Sequence, residues 1–152
     1  MSTCAGVDQE TLELLANIAQ NVRDHDSEAA QECFDQISAH LVNCSNVAVY
    51  ALGKALRTEL DDHRPNRTGV TLLSILAADE LSDDLGRLDA QTAEIVLAGA
   101  CGYGREDGTH MNVADLLMCA TGLLGWVCRR EDCETPYTFL SESNRVLNMS
   151  QS

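Results

Sequence analysis

Aromatic side chains are scarce in this sequence. They make up 4% of its 152 residues, although hydrophobic residues of all kinds reach 45%. The interior must therefore be built mainly from leucine, alanine, valine and isoleucine. That composition suits helix packing better than a β-sandwich, which favours aromatic and β-branched residues. Because no strand-length alternation of apolar and polar residues occurs either, the sequence predicts an all-α protein.

The sequence also lacks an export signal and a membrane-spanning run. Its first seven residues are weakly apolar and have no basic start, unlike a signal peptide. The longest apolar run, residues 113–128, contains Asp115 and is too short to cross a bilayer. We interpret this run as a buried core helix, and we expect a cytoplasmic protein.

No Cys-x-x-Cys pair occurs among the seven cysteines, and the four histidines are dispersed along the chain. This spacing does not indicate a zinc site, and an odd number of cysteines argues against a disulfide framework. We therefore predict no metal, no cofactor and mostly reduced cysteines on apolar faces. These cysteines are Cys33, Cys44, Cys101 and Cys119. A Cys128–Cys133 disulfide is the leading exception.

Catalytic patterns are weak. Cys101 and His110 form the one local arrangement that resembles a nucleophile with its base, but Cys101 is expected at a helix C-terminus, which raises the pKa of a thiol. Adjacent carboxylates do not by themselves make the opposed pair that glycoside hydrolysis needs. We predict no enzymatic activity. A small-molecule-binding or enzymatic helical domain that uses the 101–110 loop is the third-ranked reading.

The spacing of apolar residues predicts six to seven helices in one domain, residues 1–152, with the last few residues frayed. Their expected starts are near residues 9, 27, 45, 70, 90, 113 and 136. Asp8 is expected to cap the first helix, and the second is expected to run to residue 43. The fourth is apolar nearly all round at first, which predicts a central helix buried on more than one side. An irregular bundle is expected, with a short helical-repeat solenoid as the alternative.

Positive charge is scarce beside negative charge. Ten lysines and arginines face 24 acidic residues, which gives a net charge of −14. A surface of this sign repels nucleic acid and anionic membranes, so we expect neither as a direct partner. The acids are also unevenly placed, because residues 1–53 hold eight of them.

Two groups of carboxylates are spaced so that they fall on outward helix faces. The first is Asp24, Glu28, Glu32 and Asp35, and the second is Asp79, Glu80, Asp83 and Asp84. Like charges four residues apart destabilise a helix by roughly 0.2–0.5 kcal/mol per pair, so folding does not explain their grouping. Complementary charge does select partners and speed association. We therefore predict a non-catalytic acidic module that binds a basic protein.

The expected partner handles nucleic acid, and this protein would inhibit or mask it, as immunity proteins and inhibitors of host defence do. Plain solvated faces that keep the protein soluble are the simplest competing explanation. The second functional alternative is a structural subunit that self-associates through the apolar helix at 113–128, in which case a homodimer is expected.

Overall fold

The computed structural model describes residues 7–24, 26–37, 41–59, 66–81, 90–101, 113–130 and 136–149. Within these ranges the chain is 92% helical, with seven helices and no strand. The helices are α1 (Gln9–Arg23), α2 (Ser27–Asp35), α3 (Leu41–Glu59), α4 (Arg67–Leu81), α5 (Ala90–Ala100), α6 (Val113–Arg130) and α7 (Pro136–Met149). The all-α prediction is confirmed.

The arrangement of the helices is a bundle rather than a solenoid. Helix α6 packs mainly against α1 and α3, with further contacts to α5, α4 and α7, while α4 and α5 pack on each other. The first helix therefore contacts the last two. In a solenoid each repeat would contact only its chain neighbours, so the bundle prediction is confirmed and the solenoid alternative is wrong.

Helix α6 lies at the centre of this bundle. From Leu117 to Cys128 every residue except Met118 is buried, and Trp126 is only 1% exposed. The Thr121 hydroxyl donates to the carbonyls of Leu117 and Met118, at 2.8 and 3.0 Å, so its polar group is satisfied inside the helix. The prediction of a buried core helix at this position is confirmed.

Two glycines allow neighbouring helices to approach closely. A Cβ atom added to Gly125 of α6 would lie 2.2 Å from the backbone carbonyl oxygen of Ala19 in α1. One added to Gly53 of α3 would lie 2.4 Å from the carbonyl oxygen of Ala100 in α5. No real side chain fits at these distances, so glycine sets the depth of both helix crossings.

The start of α1 is fixed by its predicted cap. The Asp8 side chain accepts a hydrogen bond from the Thr11 backbone N–H at 2.8 Å, and this bond holds the pKa of Asp8 below its usual value. The preceding residue is held as well. The Asn144 side chain in α7 accepts from the Val7 N–H at 2.7 Å and donates to the Val7 carbonyl at 3.0 Å.

The predicted boundary between α2 and α3 is wrong. Helix α2 ends at Asp35 and α3 begins at Leu41, whereas the apolar spacing suggested one helix to residue 43 and a new one at Ser45. The backbone N–H groups of Gln36 and Ile37 donate to the carbonyls of Cys33 and Phe34, three residues earlier, and these 3₁₀-type bonds tighten the end of α2. The helical spacing of apolar residues continues through the break between α2 and α3 because residues on both sides of it pack on the same core.

The predicted burial of α4 is also wrong. Its inward face is Val70, Ser74, Ala77 and Leu81, all of them buried. The opposite face is aliphatic and exposed, with Leu72 at 64%, Ile75 at 54% and Leu76 at 37%. Helix α4 packs on α5 and makes only a small contact with α6, so it lies at the edge of the bundle.

Over the described ranges, we find no helix that combines the length and the apolar character needed to cross a bilayer.

Candidate partner-binding surfaces

The first predicted carboxylate group lies along α2 and its approach. Asp24 is the C-cap of α1, and the other three members follow on α2. All four side chains are exposed. We call this set the carboxylate row, and its members are Asp24, Glu28, Glu32 and Asp35. The structure therefore places the whole group on the surface, as predicted.

Helix α2 holds this row outward because its other side packs on α1. Ala30 is buried, and Cys33 and Phe34 are partly buried against the core. Asp26 caps the helix by accepting from the Ala29 N–H at 3.1 Å. A nine-residue helix with a single apolar side is thus oriented by a few contacts. Its acidic side therefore faces solvent.

The negative charge of the row is not neutralised within the described ranges. Asp24 accepts from the Gln20 amide at 3.2 Å and Asp35 from the Gln31 amide at 2.9 Å, but both donors are uncharged. No lysine or arginine of the described chain pairs with any member of the row. The described cations Lys54 and Arg145 instead pair with Glu142 of α7.

Only two of the four residues of the second predicted group lie within the described ranges. Asp79 and Glu80 are exposed in the last turn of α4, whereas Asp83 and Asp84 lie outside the described residues. Glu80 accepts a hydrogen bond from the indole N–H of Trp126 in α6, so one carboxylate of this pair also ties α4 to the core.

The described members of the two groups lie on helices that share no substantial contact. Helix α2 packs on α1, and α4 packs on α5 and the edge of α6. A partner that contacts the carboxylate row therefore meets a different part of the molecule from one that contacts Asp79 and Glu80. Sequence spacing identified both groups but could not show that they lie apart.

Sequence reasoning missed the exposed aliphatic side of α4, which we call the α4 face. It consists of Leu72, Ile75 and Leu76. These positions are spaced three and four residues apart, so they lie side by side on one side of the helix. Asp79 follows Ile75 by four residues and continues the same line. The available signal was the apolar character of α4 on all sides, which indicates either a central helix or an edge helix with one side uncovered.

The described thiols are poorly suited to nucleophilic chemistry. Burial raises the pKa of Cys44 to about 11, with the negative charge of Asp8 adding to the shift. Burial and the neighbouring Glu32 raise the pKa of Cys33, while a bond from Asn21 partly offsets them. Cys101 is buried at the end of α5, and its candidate partner His110 lies outside the described residues.

Two surface grooves border α7. One, of about 330 Å³, lies between Tyr137 and the α1 residues Glu13, Ala16, Asn17 and Gln20. The other, of about 480 Å³, runs along α7 past Glu142 and Arg145. Neither is lined by a histidine or a cysteine. Within the described ranges, no three metal-binding side chains come together.

No family model matches this chain, and neither a curated protein nor a solved structure is significantly similar to it.

The enclosed position of α6 bears on the self-association alternative. That alternative needs the apolar side chains of 113–128 at the surface, but from Leu117 onward these residues fill the core. Contact between two copies through α6 would require the bundle to open.

Proposed function

We propose that this protein is a non-catalytic acidic module that binds a basic protein through the carboxylate row. The observation that carries the proposal is the row itself: four exposed carboxylates, none of which forms an ion pair with a lysine or arginine of the described ranges. The proposed partner handles nucleic acid, and binding inhibits or masks it.

Glu28 favours the positive N-terminal end of α2, but other parts of the row are unfavourable for folding, which supports a role in binding. Glu28 and Glu32 are like charges four residues apart, and Asp24 stands at the negative end of α1. Each arrangement destabilises a helix by a few tenths of a kcal/mol. Neutral polar side chains at these positions would avoid that cost and would still face water.

The geometry also suits competition with nucleic acid. Four residues of helix advance by about 6 Å, so the row sets out negative charges at intervals of the same order as the phosphates of a nucleic acid strand. A basic groove that accepts phosphates would attract the row by the same long-range field. Binding there would exclude the nucleic acid without any chemical step.

A cytoplasmic location is part of the proposal. Cys33 and Cys44 are unbridged thiols, which is typical of a reducing compartment. A net charge of −14 also disfavours direct contact with nucleic acid or with an anionic membrane.

The test is charge reversal with a matched control. Glu28→Lys, Glu32→Lys and Asp35→Lys are combined in one variant, and Glu10→Lys, Glu13→Lys and Glu94→Lys in another. Both triples change three exposed acids and shift the net charge equally. Basic proteins captured from the native host at low salt, and released at high salt, should be retained by the control and lost by the row variant. Circular dichroism checks that both remain helical.

An equal loss of capture in the two variants, relative to the parent, would show that net charge, and not the row, attracts the partner. Capture that persists unchanged in both variants at high salt would remove the electrostatic proposal altogether.

A further inference from the structure

Helix α2 has the weakest attachment among the described helices. It makes substantial contact with α1 alone, whereas each of the others packs on at least two neighbours. Among the α2 side chains that the structure describes, only Ala30 is fully buried, while Cys33 and Phe34 are partly buried against the core. Because the stabilisation from burial scales with the apolar area removed from water, a small contact holds α2 on α1.

Helix α5 provides a comparison of similar length. It has 11 residues and α2 has nine, and isolated helices shorter than about 12–15 residues are marginal in water. Each therefore depends on its neighbours. Helix α5 buries Ala93, Val96 and Leu97 and packs on α3, α4 and α6. Helix α2 has neither the buried side chains nor the second neighbour.

The charges of α2 also act against its helical state. Glu28 is favourably placed, because it lies in the first turn near the positive end of the helix. Glu32 follows it by four residues and repels it. Asp35 stands at the negative end, where no basic residue lies in the last turn. Each of these two unfavourable placements lowers the helix-to-coil ratio by roughly 1.4- to 5-fold. The carboxylate row therefore weakens the helix that carries most of it.

The rest of the bundle does not depend on α2. Helix α1 buries Leu15 and Val22, and it packs on α6 and α7 as well as on α2. Two described hydrogen bonds join α2 and its cap to α1. The backbone N–H of Asp26 donates to the Asn21 carbonyl at 2.7 Å, and the Asn21 amide donates to the Cys33 sulfur at 3.8 Å. Helix α1 can thus stay in place when α2 leaves it.

We propose that α2 opens from α1 as a separate unit, and that repulsion within the carboxylate row sets the balance between the open and the closed state. The row has its regular spacing only when α2 is closed and helical. A basic partner that binds the closed row cancels the repulsion and so draws α2 shut. The opening is independent of the function proposed for the row, whereas the coupling to a partner rests on that function.

This equilibrium regulates the row. The apparent affinity of a partner for the closed state is reduced in proportion to the fraction of molecules in that state. Any change that stabilises α2 therefore strengthens binding without adding a contact to the partner, and any change that melts α2 weakens binding while every carboxylate is still present.

Amide hydrogen exchange, measured residue by residue in the parent protein, tests the opening directly. Local opening and global unfolding leave different levels of protection. The amides of α2 should be at least about a hundredfold less protected than those of α6. In low urea their exchange should hardly change, because the opening exposes little surface, whereas exchange in α6 should accelerate. Equal protection in α2 and α5, with the same dependence on urea, would overturn the separate opening.

A pair of variants tests the role of the charges. Glu32→Gln with Asp35→Asn removes the two unfavourable charges and keeps the shapes of the side chains, so it should raise the protection of the α2 amides by roughly three- to tenfold. Glu10→Gln with Glu13→Gln removes two exposed acids from α1 and should leave α2 within about twofold of the parent. Rises of equal size in the two variants would show that net charge, and not the row, opposes closure, which would overturn the proposal.

Salt gives a second readout of the same repulsion, because it screens exposed charges. Between about 0.01 M and 0.1 M ionic strength the screening length falls from about 30 Å to about 10 Å. The protection of α2 in the parent should rise over this range, and it should rise by a smaller factor in Glu32→Gln/Asp35→Asn. An unchanged or falling protection in the parent would overturn the role of the row.

The coupling to a partner is tested with a labelled hexalysine peptide. Anisotropy of the label gives its Kd, and exchange then follows α2 in the same solution. At about ten times the Kd, the protection of the α2 amides should rise by roughly tenfold, as expected for a ligand that binds the closed state alone. Binding that leaves α2 protection unchanged, or no binding to the parent at low salt, would overturn the coupling.

The function proposed for the row can fail separately. Separate opening of α2, together with host capture that does not depend on the row, would leave the opening intact and remove the function. Capture that depends on the row, together with α2 amides as protected as those of α5, would leave the function intact and overturn this proposal.

Discussion

Helices α4 and α6 have similar apolar character in sequence but opposite positions in the molecule. Helix α6 is surrounded by the other helices, whereas α4 packs on α5 and leaves a row of aliphatic side chains in solvent. The two helices differ in how closely a neighbouring helix can pack against them. Helix α6 carries Gly125 where α1 crosses it, while α4 carries bulky side chains on its outer side. Apolar content alone does not determine burial, because burial also needs neighbours that can come close.

The largest contrast should come from matched leucine truncations in the two helices. Leu124 of α6 is fully buried, so Leu124→Ala should lower the free energy of unfolding by about 3 kcal/mol, from lost transfer energy and the cavity left behind. Leu72 of α4 is mostly exposed, so Leu72→Ala should change it by about 0.5 kcal/mol or less. Urea unfolding followed by circular dichroism measures both. Equal losses would mean that α4 is covered in solution.

A somewhat smaller effect is expected at the crossing of α1 and α6. Gly125→Ala places a methyl group against the Ala19 carbonyl, which belongs to the backbone and cannot rotate away, so the helices must separate. We expect a loss of about 2–3 kcal/mol in the free energy of unfolding. Gly99→Ala in α5 is the control, since no atom apart from its chain neighbours and the adjacent backbone of its own helix lies within 4 Å of the added carbon. It should be neutral or should stabilise by up to about 1 kcal/mol. If both substitutions behaved alike, helix propensity rather than close packing would govern these positions.

The bond between Glu80 and Trp126 links the exposed helix to the buried one. Glu80→Ala removes this acceptor from a buried indole N–H, and a loss of about 1 kcal/mol in stability is expected. Glu80→Gln keeps an acceptor at the same place and should lose less. Both should shift the emission of Trp126, which thermal unfolding can then follow. An emission spectrum that is identical in all three proteins would contradict the bond.

The smallest expected effect is a pH dependence of the free energy of unfolding that arises from the Asp8 cap of α1. Helix α1 packs on α6. The pKa of Asp8 is lowered in the folded state from 3.8 by its bonds to Thr11. The carboxylate therefore adds stability above its unfolded pKa, and that contribution is lost as the pH falls through the lower, folded value. Asp8→Asn keeps a capping side chain that does not titrate. The stability of the parent relative to Asp8→Asn should decline below about pH 4, as measured by urea unfolding over a pH series.

A constant difference between these two proteins across that series would show that the Asp8 cap does not depend on its charge.

Local sequence signals predicted the fold well where the determining contacts are local. Asp8 was recognised as a cap because an N-cap needs only its own first turn, and α5 has the bounds that its flanking residues suggested. The exposure of the carboxylate row followed in the same way. Its members lie opposite apolar residues on a short helix, and that opposition is visible in the spacing alone.

What could not be predicted depended on neighbours distant in sequence. Nothing in the residues of α4 says that α5 covers one side and that no helix of the described ranges covers the other. The glycines that matter were also indistinguishable in sequence, since Gly125 meets a backbone carbonyl and Gly99 meets nothing. The separation of the two carboxylate groups had the same origin. Each of these features is set by which helix packs beside which.

The bonds between Val7 and Asn144 join residues that are 137 positions apart in the sequence. During synthesis at about 5–20 residues per second, roughly 7–27 s separate the appearance of these two partners. Helix α1 leaves the ribosome long before α6 and α7, against which it finally packs. Helix α1 is therefore made well before two of the helices on which it packs, and its contacts with α6 and α7 can form only after those helices have been translated.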